Sequence, residues 1–146
     1  MIDHRIFKIP LLNFVFRTAK AIPIASAKED PQALEHAYDE VAKAFGDGDL
    51  VGIFPEGKIT GDGELNEFRS GIKRIIERTP VPVIPLALRG LWGSFFSRMG
   101  GKAMSQFFPR GISSKIALVA GVAIPPSQVA PESLQATVQT LRGDWK

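Results

Sequence analysis

The chain has 146 residues, a formal net charge of +3 and a pI near 9.4, and 45% of its residues are hydrophobic. This length suits one domain over residues 1–146, since a domain of this size buries roughly two-thirds of its unfolded surface. The absence of cysteine excludes disulfides and thiolate catalysis, and the two histidines stand in no cluster with metal-ligand spacing, so we expect no metal site.

The first third of the chain predicts two helices separated by a strand. Apolar residues at helical spacing over 6–19 indicate a helix whose start Pro10 delays, and residues 21–25 suit a short strand. Asp30 and Pro31 form a helix start, a cap followed by the first helical position, and Gly46 is expected to end this helix as glycine commonly does. The predicted buried face is Leu34, Ala37, Tyr38, Val41 and Phe45.

The middle of the chain predicts two buried strands around a helix. Residues 50–54 form an apolar run that stops at Pro55, and residues 81–88 form a second run. Between them, after a glycine-rich loop at 57–63, Asn66 is expected to cap a helix. The inner face of this helix is predicted to comprise Phe68, Ile72, Ile75 and Ile76. Strands that alternate with helices predict an α/β fold, with a mainly parallel or mixed sheet flanked by helices.

The last third predicts a helix over 91–100, a loop over 101–113 and a closing helix from Pro131 to Leu141. Residues 114–124 suit either one long strand or a hairpin broken near Gly121. The helix predicted over 91–100 carries an apolar stripe. Further aromatic residues follow the stripe, and basic residues lie between the apolar ones. The stripe comprises Leu91, Trp92, Phe95, Phe96 and Met99. It suits either a buried core face or a surface against a membrane or an acyl chain.

Glu56 and Gly57 directly follow the predicted strand 50–54. Because ligands in an open α/β sheet gather outside the carboxyl ends of the strands, we expect these residues beside a binding site. Residues 52–58 also match the start of a phosphate-binding P-loop, but Ile59 stands where a magnesium-binding Ser or Thr is required, so we do not expect nucleotide binding. A purely structural interpretation also stands, in which Glu56 accepts backbone amides in a tight turn.

Three segments resemble sequence blocks of the glycerolipid acyltransferases, which make phosphatidic acid from lysophosphatidic acid and an acyl thioester. These segments are Phe54-Pro55-Glu56-Gly57, Phe68-Arg69-Ser70-Gly71 and Val81-Pro82-Val83-Ile84-Pro85-Leu86. The resemblance implies a glycerol-3-phosphate acyltransferase-like α/β fold and a substrate-binding site. In that site the resemblance implies that Glu56 binds the glycerol hydroxyls, with Gly57 and Phe54 beside it. It implies that Lys58 and Arg69 lie nearest the acceptor phosphate.

The same resemblance implies the partners and the location of the protein. The acyl donor would be acyl-CoA or acyl carrier protein, the acceptor a glycerophospholipid, and no cofactor, metal or nucleic acid would take part. We expect a peripheral protein on the cytoplasmic side of a membrane; whether a parent protein carries a membrane anchor stays open. No apolar run in this sequence reaches the ~20 residues that span a bilayer.

The family's first block, an Asn-His pair with an Asp five positions after the His, is missing from this sequence. Ile9 stands five positions after His4, and Val41 five after His36, which is expected to be a solvated residue on the polar side of its helix. We therefore expect no catalytic residue here, in a fragment that begins after the strand and helix carrying this block and is close to inactive alone. The alternative is a non-catalytic lipid-binding or regulatory module with the same fold.

Two arginines that are common in the family are also replaced. Ile24-Ala25-Ser26 ends the segment where the second block usually has arginine, and Ile59 stands in the third block where arginine is common. Because fewer fixed cations bind a phosphate less tightly, the acceptor is expected to differ from lysophosphatidic acid.

Overall fold

The computed structural model describes residues 2–3, 20–24, 29–58, 60–92 and 115–144. Its internal contacts separate the chain into two compact units, Met1–Phe54 and Pro55–Lys146. The prediction of one domain over 1–146 stays a prediction.

The first unit contains a pair of short parallel strands and a helix. Strand β1 (Ile2–Asp3) pairs with β2 (Pro23–Ile24), with Ile2 opposite Pro23, and helix α1 (Pro31–Gly46) packs against β2. A parallel pair of this kind fits the prediction of a mainly parallel or mixed sheet. The helix predicted over 6–19 falls outside the described residues.

Helix α1 has the predicted start and the predicted buried face. The Asp30 carboxylate accepts a hydrogen bond from the Ala33 amide at 2.9 Å, and Pro31 occupies the first turn, where its missing N–H removes no helical bond. Leu34, Ala37, Tyr38 and Val41 are buried, and Phe45 is half-buried. The local sequence was therefore sufficient to place this helix.

The end of α1 differs from the prediction. The helix does end at Gly46, but Asp47 keeps a right-handed conformation (φ −78°) and its amide still donates to the Lys43 carbonyl at 2.9 Å. The chain reverses at Gly48, whose φ of 80° is the left-handed value that glycine adopts without a side-chain clash. Because the Asp47 amide still makes a helical hydrogen bond, the left-handed conformation expected at Gly46 is found at Gly48.

The prediction of a buried strand at 50–54 is wrong. No hydrogen-bonded strand is described there, and the side chains alternate, with Val51 and Ile53 half-buried while Leu50 is 98% exposed and Phe54 is 68% exposed. An apolar run becomes a buried strand only when neighbouring strands satisfy its backbone and cover it. No described residue supplies that ladder.

The second unit contains helix α2 (Gly71–Arg78), strand β3 (Leu86–Arg89), strand β4 (Ala117–Ala120), a 3₁₀ turn (Pro126–Gln128) and helix α3 (Pro131–Arg142). Strand β3 pairs antiparallel with β4, and α3 contacts both strands. The predicted helix Pro131–Leu141 is confirmed to within one residue. The four residues predicted to line the inner face of the middle helix are all buried: Phe68, Ile72, Ile75 and Ile76.

The pairing that continues the ladder between β3 and β4 contains a bulge directly after Gly121. Leu86 pairs with Ala120, while Val83 bridges Ile124, so the second strand holds one extra residue between these two pairs. The Gly121 amide donates to the Pro85 carbonyl at 2.9 Å, and a Cβ at this glycine would lie only 2.9 Å from the Pro85 ring. Of the two predictions for residues 114–124, the described part, 115–124, fits the single strand only in part, with a regular strand at Ala117–Ala120 and an isolated bridge at Ile124. No hairpin within these described residues is observed.

The predicted buried strand over 81–88 is confirmed as a strand only in part, and its expected burial is wrong. The regular ladder starts only at Leu86, and Ala87 is 2% exposed whereas Leu86 and Leu88 are 49% and 41% exposed. A two-stranded ribbon with a helix on one face buries alternate residues and leaves the others open. The side chains on the open face therefore include those of Leu86, Leu88 and Leu118.

The chain has the predicted α/β character, while the arrangement of its strands in a single sheet stays a prediction. The described strands form one parallel pair in the first unit and one antiparallel pair in the second. Of the predicted helix over 91–100, only Leu91 and Trp92 are described, and the rest lies outside the described residues. None of the described helices is both long enough and apolar enough to cross a bilayer.

Candidate active site

The carboxylate of Glu56 is held by Asn66. One oxygen, Oε2, accepts hydrogen bonds from the Asn66 backbone amide at 2.6 Å and from its side-chain Nδ2 at 3.0 Å. Both residues are half-buried. Glu56 therefore does accept an amide, as the structural interpretation required, but the donor is ten residues away across the loop.

The predicted role of Asn66 as a helix cap is wrong. The helix begins only at Gly71, five residues later, and the Asn66 side chain instead donates through Nδ2 to Glu56. Ser70 occupies the N-cap position and makes no capping bond with its side chain. A capping signal identifies a residue whose side-chain oxygen can accept from free helix amides, and it does not locate the first turn of the helix, which here starts several residues further on.

A backbone hydrogen bond brings two of the predicted blocks together. The Arg69 amide donates to the Pro55 carbonyl at 2.9 Å, next to the bond between Asn66 and Glu56. The segment 66–69 is thus attached to the turn at 55–56 by both backbone and side-chain contacts. Glu56 and Arg69, which are well separated in the sequence, become neighbours in this loop pair.

The side chain of Arg69 lies across Gly57. Gly57 has a φ of 64°, and a Cβ built on it would lie 3.2 Å from Arg69 Nε and 3.3 Å from Cδ and Cζ. A glycine here gives both the left-handed turn and the close approach of the arginine. Within the described part of the chain, no hydrogen bond or ion pair engages the exposed Arg69 guanidinium, which is therefore available to an anion.

Lys58 and Phe54 occupy less defined positions. Lys58 follows Gly57 and is exposed, and its predicted role beside the acceptor phosphate stays a prediction. Phe54 belongs to the first unit and is 68% exposed, and its predicted role in substrate binding stays a prediction. The structure therefore brings together Glu56, Gly57 and Arg69 among the predicted residues.

The start of helix α2 adds a further positive feature to this site. The first amides of a helix have no intrahelical partners, and they point toward the N-terminus, where the helix dipole favours an anion. Lys73, one turn into α2, instead lies 3.8 Å from Glu77, and both side chains are mostly exposed. Lys73 thus lies on the solvated face of α2.

Sequence reasoning missed the residues that hold the loop at 60–64. The Thr60 hydroxyl accepts a hydrogen bond from the Gly63 amide at 3.1 Å, and Asp62 Oδ1 accepts one from the Glu64 amide at 2.9 Å. These are local turns that Thr, Asp and Gly favour, so the sequence carried a signal for them. The sequence carried no comparable signal for the buried Arg142, whose Nη1 donates to the Gly63 carbonyl at 2.7 Å.

The described residues include no group of three or more His, Cys, Asp or Glu side chains arranged to hold a metal. His36 is exposed on α1, as predicted for a solvated histidine, and His4 lies outside the described residues.

Comparison with known proteins identifies the family. The family model described as Acyltransferase matches residues 1–89, more than half of the chain and all of the segments that carry the resemblance. No solved structure matches the chain.

Three curated relatives show similar levels of identity. A chloroplastic 1-acyl-sn-glycerol-3-phosphate acyltransferase of Brassica napus is 31% identical over 85 residues, which are 58% of this chain and 24% of that protein. An N-acylphosphatidylethanolamine synthase of Arabidopsis thaliana is 31% identical over 87 residues, 58% of this chain and 30% of that protein. A second chloroplastic 1-acyl-sn-glycerol-3-phosphate acyltransferase, from Arabidopsis thaliana, is 28% identical over 85 residues, 58% of this chain and 23% of that protein.

The matched part therefore spans less than a third of the length of each of these relatives. The family match itself covers the Glu56 turn, the Arg69 segment and the whole of β3. The predicted resemblance is confirmed, and the chain belongs to the acyltransferase family, among relatives of the 1-acylglycerol-3-phosphate acyltransferases.

Proposed function

We propose that this chain forms the acceptor-binding part of an enzyme that transfers a fatty acyl group from an acyl thioester to a lysophosphatidate-like glycerophospholipid. The observation that carries the proposal is the position of the Arg69 side chain across Gly57, beside the fixed carboxylate of Glu56. The names of the relatives support it, because 1-acylglycerol 3-phosphate and N-acylphosphatidylethanolamine are both glycerophospholipids.

The acceptor phosphate is proposed to bind between Arg69, Lys58 and the start of α2. Charge-assisted hydrogen bonds from guanidinium and ammonium groups to phosphate are stronger than neutral ones, and helix N-termini favour the same ligand. The backbone of Arg69 is attached to the turn through its bond to Pro55, and its side chain lies against Gly57, so the segment that carries the charge is positioned before the ligand arrives. Preorganisation of this kind lowers the cost of binding.

Glu56 is proposed to orient the acceptor hydroxyl. Its Oε2 atom is occupied by Asn66, whereas no described residue donates to its Oε1 atom. An oxygen of a fixed carboxylate can accept a hydrogen bond from a glycerol hydroxyl and thereby orient it for reaction. Glu56 would then hold both the loop and the substrate.

Acyl transfer requires a base, and the His-Asp pair that the resemblance implies for this role is missing from this sequence. The acceptor oxygen attacks the thioester carbonyl carbon, the C–O bond forms as the C–S bond breaks, the thiol leaves, and the hydroxyl proton must pass to a base. Neither histidine is followed by an aspartate five positions later. We therefore expect the 146-residue chain alone to bind the acceptor and to transfer acyl groups at no more than the background rate; no metal or organic cofactor is proposed.

The absence of this His-Asp pair also favours a second candidate function, a non-catalytic lipid-binding or regulatory module. The two candidates predict the same binding and differ in turnover. The gene sequence upstream of Met1 separates the two candidates. An in-frame Asn-His with an Asp five positions after the His supports the enzyme. A protein expressed from that longer frame should then release thiol from acyl-CoA when lysophosphatidic acid is added. A start codon with its own ribosome-binding site at Met1 supports the module.

Calorimetric titration with sn-glycerol 3-phosphate tests the acceptor site in the chain as it stands. Loss of a charged hydrogen bond of about 1.5 kcal/mol or more weakens binding roughly tenfold, so Arg69→Gln should raise the dissociation constant by at least that factor. Lys73→Gln removes the same charge from the same region, but from a residue that lies near Glu77, and should bind like the wild type. Equal binding by Arg69→Gln and the wild type contradicts the proposal.

We also propose a peripheral position on the cytoplasmic side of a membrane. The open face of the β3–β4 ribbon supports it, because Ile84, Leu86, Ile116 and Leu118 are between 48% and 62% exposed, and apolar patches of this kind mark interaction surfaces. Trp92 is a weaker candidate for membrane contact, since it packs against Gly63.

Flotation with phosphatidylglycerol-containing liposomes tests this surface. A Leu86→Gln/Leu118→Gln variant that remains folded should no longer float with the liposomes, and continued flotation of the variant rejects this surface.

A further inference from the structure

Helix α3 lies outside the region that the family model matches, yet it contacts the candidate site directly. The first contact is made by Gln135, whose side-chain oxygen accepts a hydrogen bond from the Phe68 amide at 3.0 Å. Phe68 is buried and immediately precedes Arg69, the residue that lies across Gly57. Gln135 therefore fixes the backbone from which the Arg69 side chain extends.

The second contact is made by Arg142 at the end of the same helix. Its Nη1 atom donates to the Gly63 carbonyl at 2.7 Å, and its Nη2 atom lies 2.5 Å from Glu64 Oε2. Arg142 is only 6% exposed, whereas the Glu64 side chain is 46% exposed, so the loop is brought to the buried cation. Two residues later the same loop reaches Asn66, which holds Glu56.

Two further contacts hold the loop at 60–64 and the end of α3 in place. Gly63 has a φ of 84°, and a Cβ built on it would lie 2.6 Å from the Trp92 ring, so the indole packs directly on the backbone. Arg89 in β3 donates to the Leu141 carbonyl through Nε at 2.7 Å, which attaches the end of α3 to the ribbon. The helix is thus a fixed support for the loop.

We infer that α3 sets the geometry of the acceptor site, with Gln135 and Arg142 as positioning residues for Arg69 and Glu56. Neither residue is placed to touch the substrate. Gln135 acts through Phe68 on Arg69, and Arg142 acts through Gly63 and Glu64 on Asn66 and Glu56. What the loop binds rests on the proposed function; how the loop is held is measurable without a ligand.

The test compares three variants of the full 146-residue chain. Gln135→Met keeps the side-chain volume but removes the acceptor oxygen, Gln135→Glu restores an acceptor oxygen, and Gln139→Ala is the control on an exposed position of the same helix. Amide hydrogen exchange is followed by NMR at Asn66 and Arg69, whose amides bond to the Glu56 turn, and at Ala87 and Val119 in the ribbon. Binding of sn-glycerol 3-phosphate is measured by calorimetry.

Gln135→Met should accelerate exchange at Arg69 but not in the ribbon, and should weaken sn-glycerol 3-phosphate binding about fivefold, the factor that corresponds to one ordinary hydrogen bond. Gln135→Glu should recover most of both effects, and Gln139→Ala should show neither. Unchanged exchange at Arg69, or equal binding by Gln135→Met and the wild type, overturns the inference and leaves the proposed function in place.

If the wild type itself does not bind sn-glycerol 3-phosphate, the proposed acceptor site is wrong, and exchange alone decides the inference. If Gln135→Met does not fold, Arg142→Lys takes its place, because lysine keeps the charge but cannot make both guanidinium bonds. Faster exchange at Asn66 in Arg142→Lys then supports the inference, and an unchanged rate overturns it.

Discussion

Asn66 donates both its backbone amide and its side-chain amide to a single carboxylate oxygen of Glu56, at 2.6 Å and 3.0 Å. The two residues close the loop that follows the Pro55-Glu56 turn. A residue predicted to contact substrate therefore also has a structural role, and the two roles can be separated by substitution.

Replacing Glu56 by alanine should destabilise the second unit by about 1–3 kcal/mol, because the half-buried Asn66 amide loses its partner. Glu56→Gln keeps an acceptor oxygen and should cost less. Urea unfolding measures both, and Asn66→Ala completes a double-mutant cycle in which residues in contact should couple by at least about 0.5 kcal/mol. Strictly additive effects of the two substitutions would show that the bond contributes nothing.

Two glycines in one loop should respond very differently to alanine. A Cβ at Gly63 would meet the Trp92 ring at 2.6–2.9 Å in a left-handed backbone, whereas a Cβ at Gly61 meets nothing within 4 Å. Gly63→Ala should therefore destabilise the protein by about 1–3 kcal/mol, the cost of overpacking, while Gly61→Ala stays near the wild-type value. Thermal unfolding and tryptophan fluorescence report the change, and equal melting temperatures for the two variants would contradict the packing of Trp92 on Gly63.

Removing the partner of a buried arginine should be costly even though the partner is partly exposed. Arg142 is 6% exposed, and in Glu64→Gln its Nη2 atom donates to a neutral amide oxygen, which is a weaker acceptor than the carboxylate. Its Nε atom already has no partner among the described residues. We expect a loss of about 1–2 kcal/mol, below the value for a fully buried pair because the Glu64 side chain is 46% exposed. Glu67→Gln, at an exposed residue nearby in the sequence, is the matched control. Identical urea midpoints for the two variants would contradict this role of the ion pair.

The ion pair between Lys20 and Asp49 in the first unit should show a defined dependence on pH and salt. The hydrogen bond and the charge of Asp49, 2.9 Å away, raise the pKa of Lys20 above its ordinary value of 10.5. Since the folded-state pKa is the higher one, the stabilisation is fully present below about pH 10.5 and is lost as the pH rises through the folded-state pKa. The effect should be small because both side chains are substantially exposed.

Titration of the Lys20 ammonium group by NMR in the wild type and in Asp49→Asn measures this shift. The pKa of Lys20 should fall toward its ordinary value in Asp49→Asn and in 1 M salt, where the Debye length is about 3 Å. A Lys20 pKa that is the same in both proteins would show that the pair does not form in solution.

The sequence by itself determined the features that depend on neighbouring residues. Asp30 and Pro31 placed the start of α1, Pro131 placed the start of α3, and helical spacing identified the buried faces, because caps and periodicity act within a few residues. The resemblance blocks indicated the family. The structure places Glu56, Gly57 and Arg69, three of the residues they named, next to one another, and their role in substrate binding stays a prediction.

Only the tertiary structure decided which partners these residues take. It assigned Asn66 to Glu56 and not to a helix cap, left the apolar run at 50–54 without a described strand partner, and exposed one face of β3. It also placed Gln135 and Arg142 against the loop, 67 and 79 residues along the chain from their partners. Hydrogen bonds and burial across such separations depend on where the chain returns in space, and no local pattern in the sequence encodes that return.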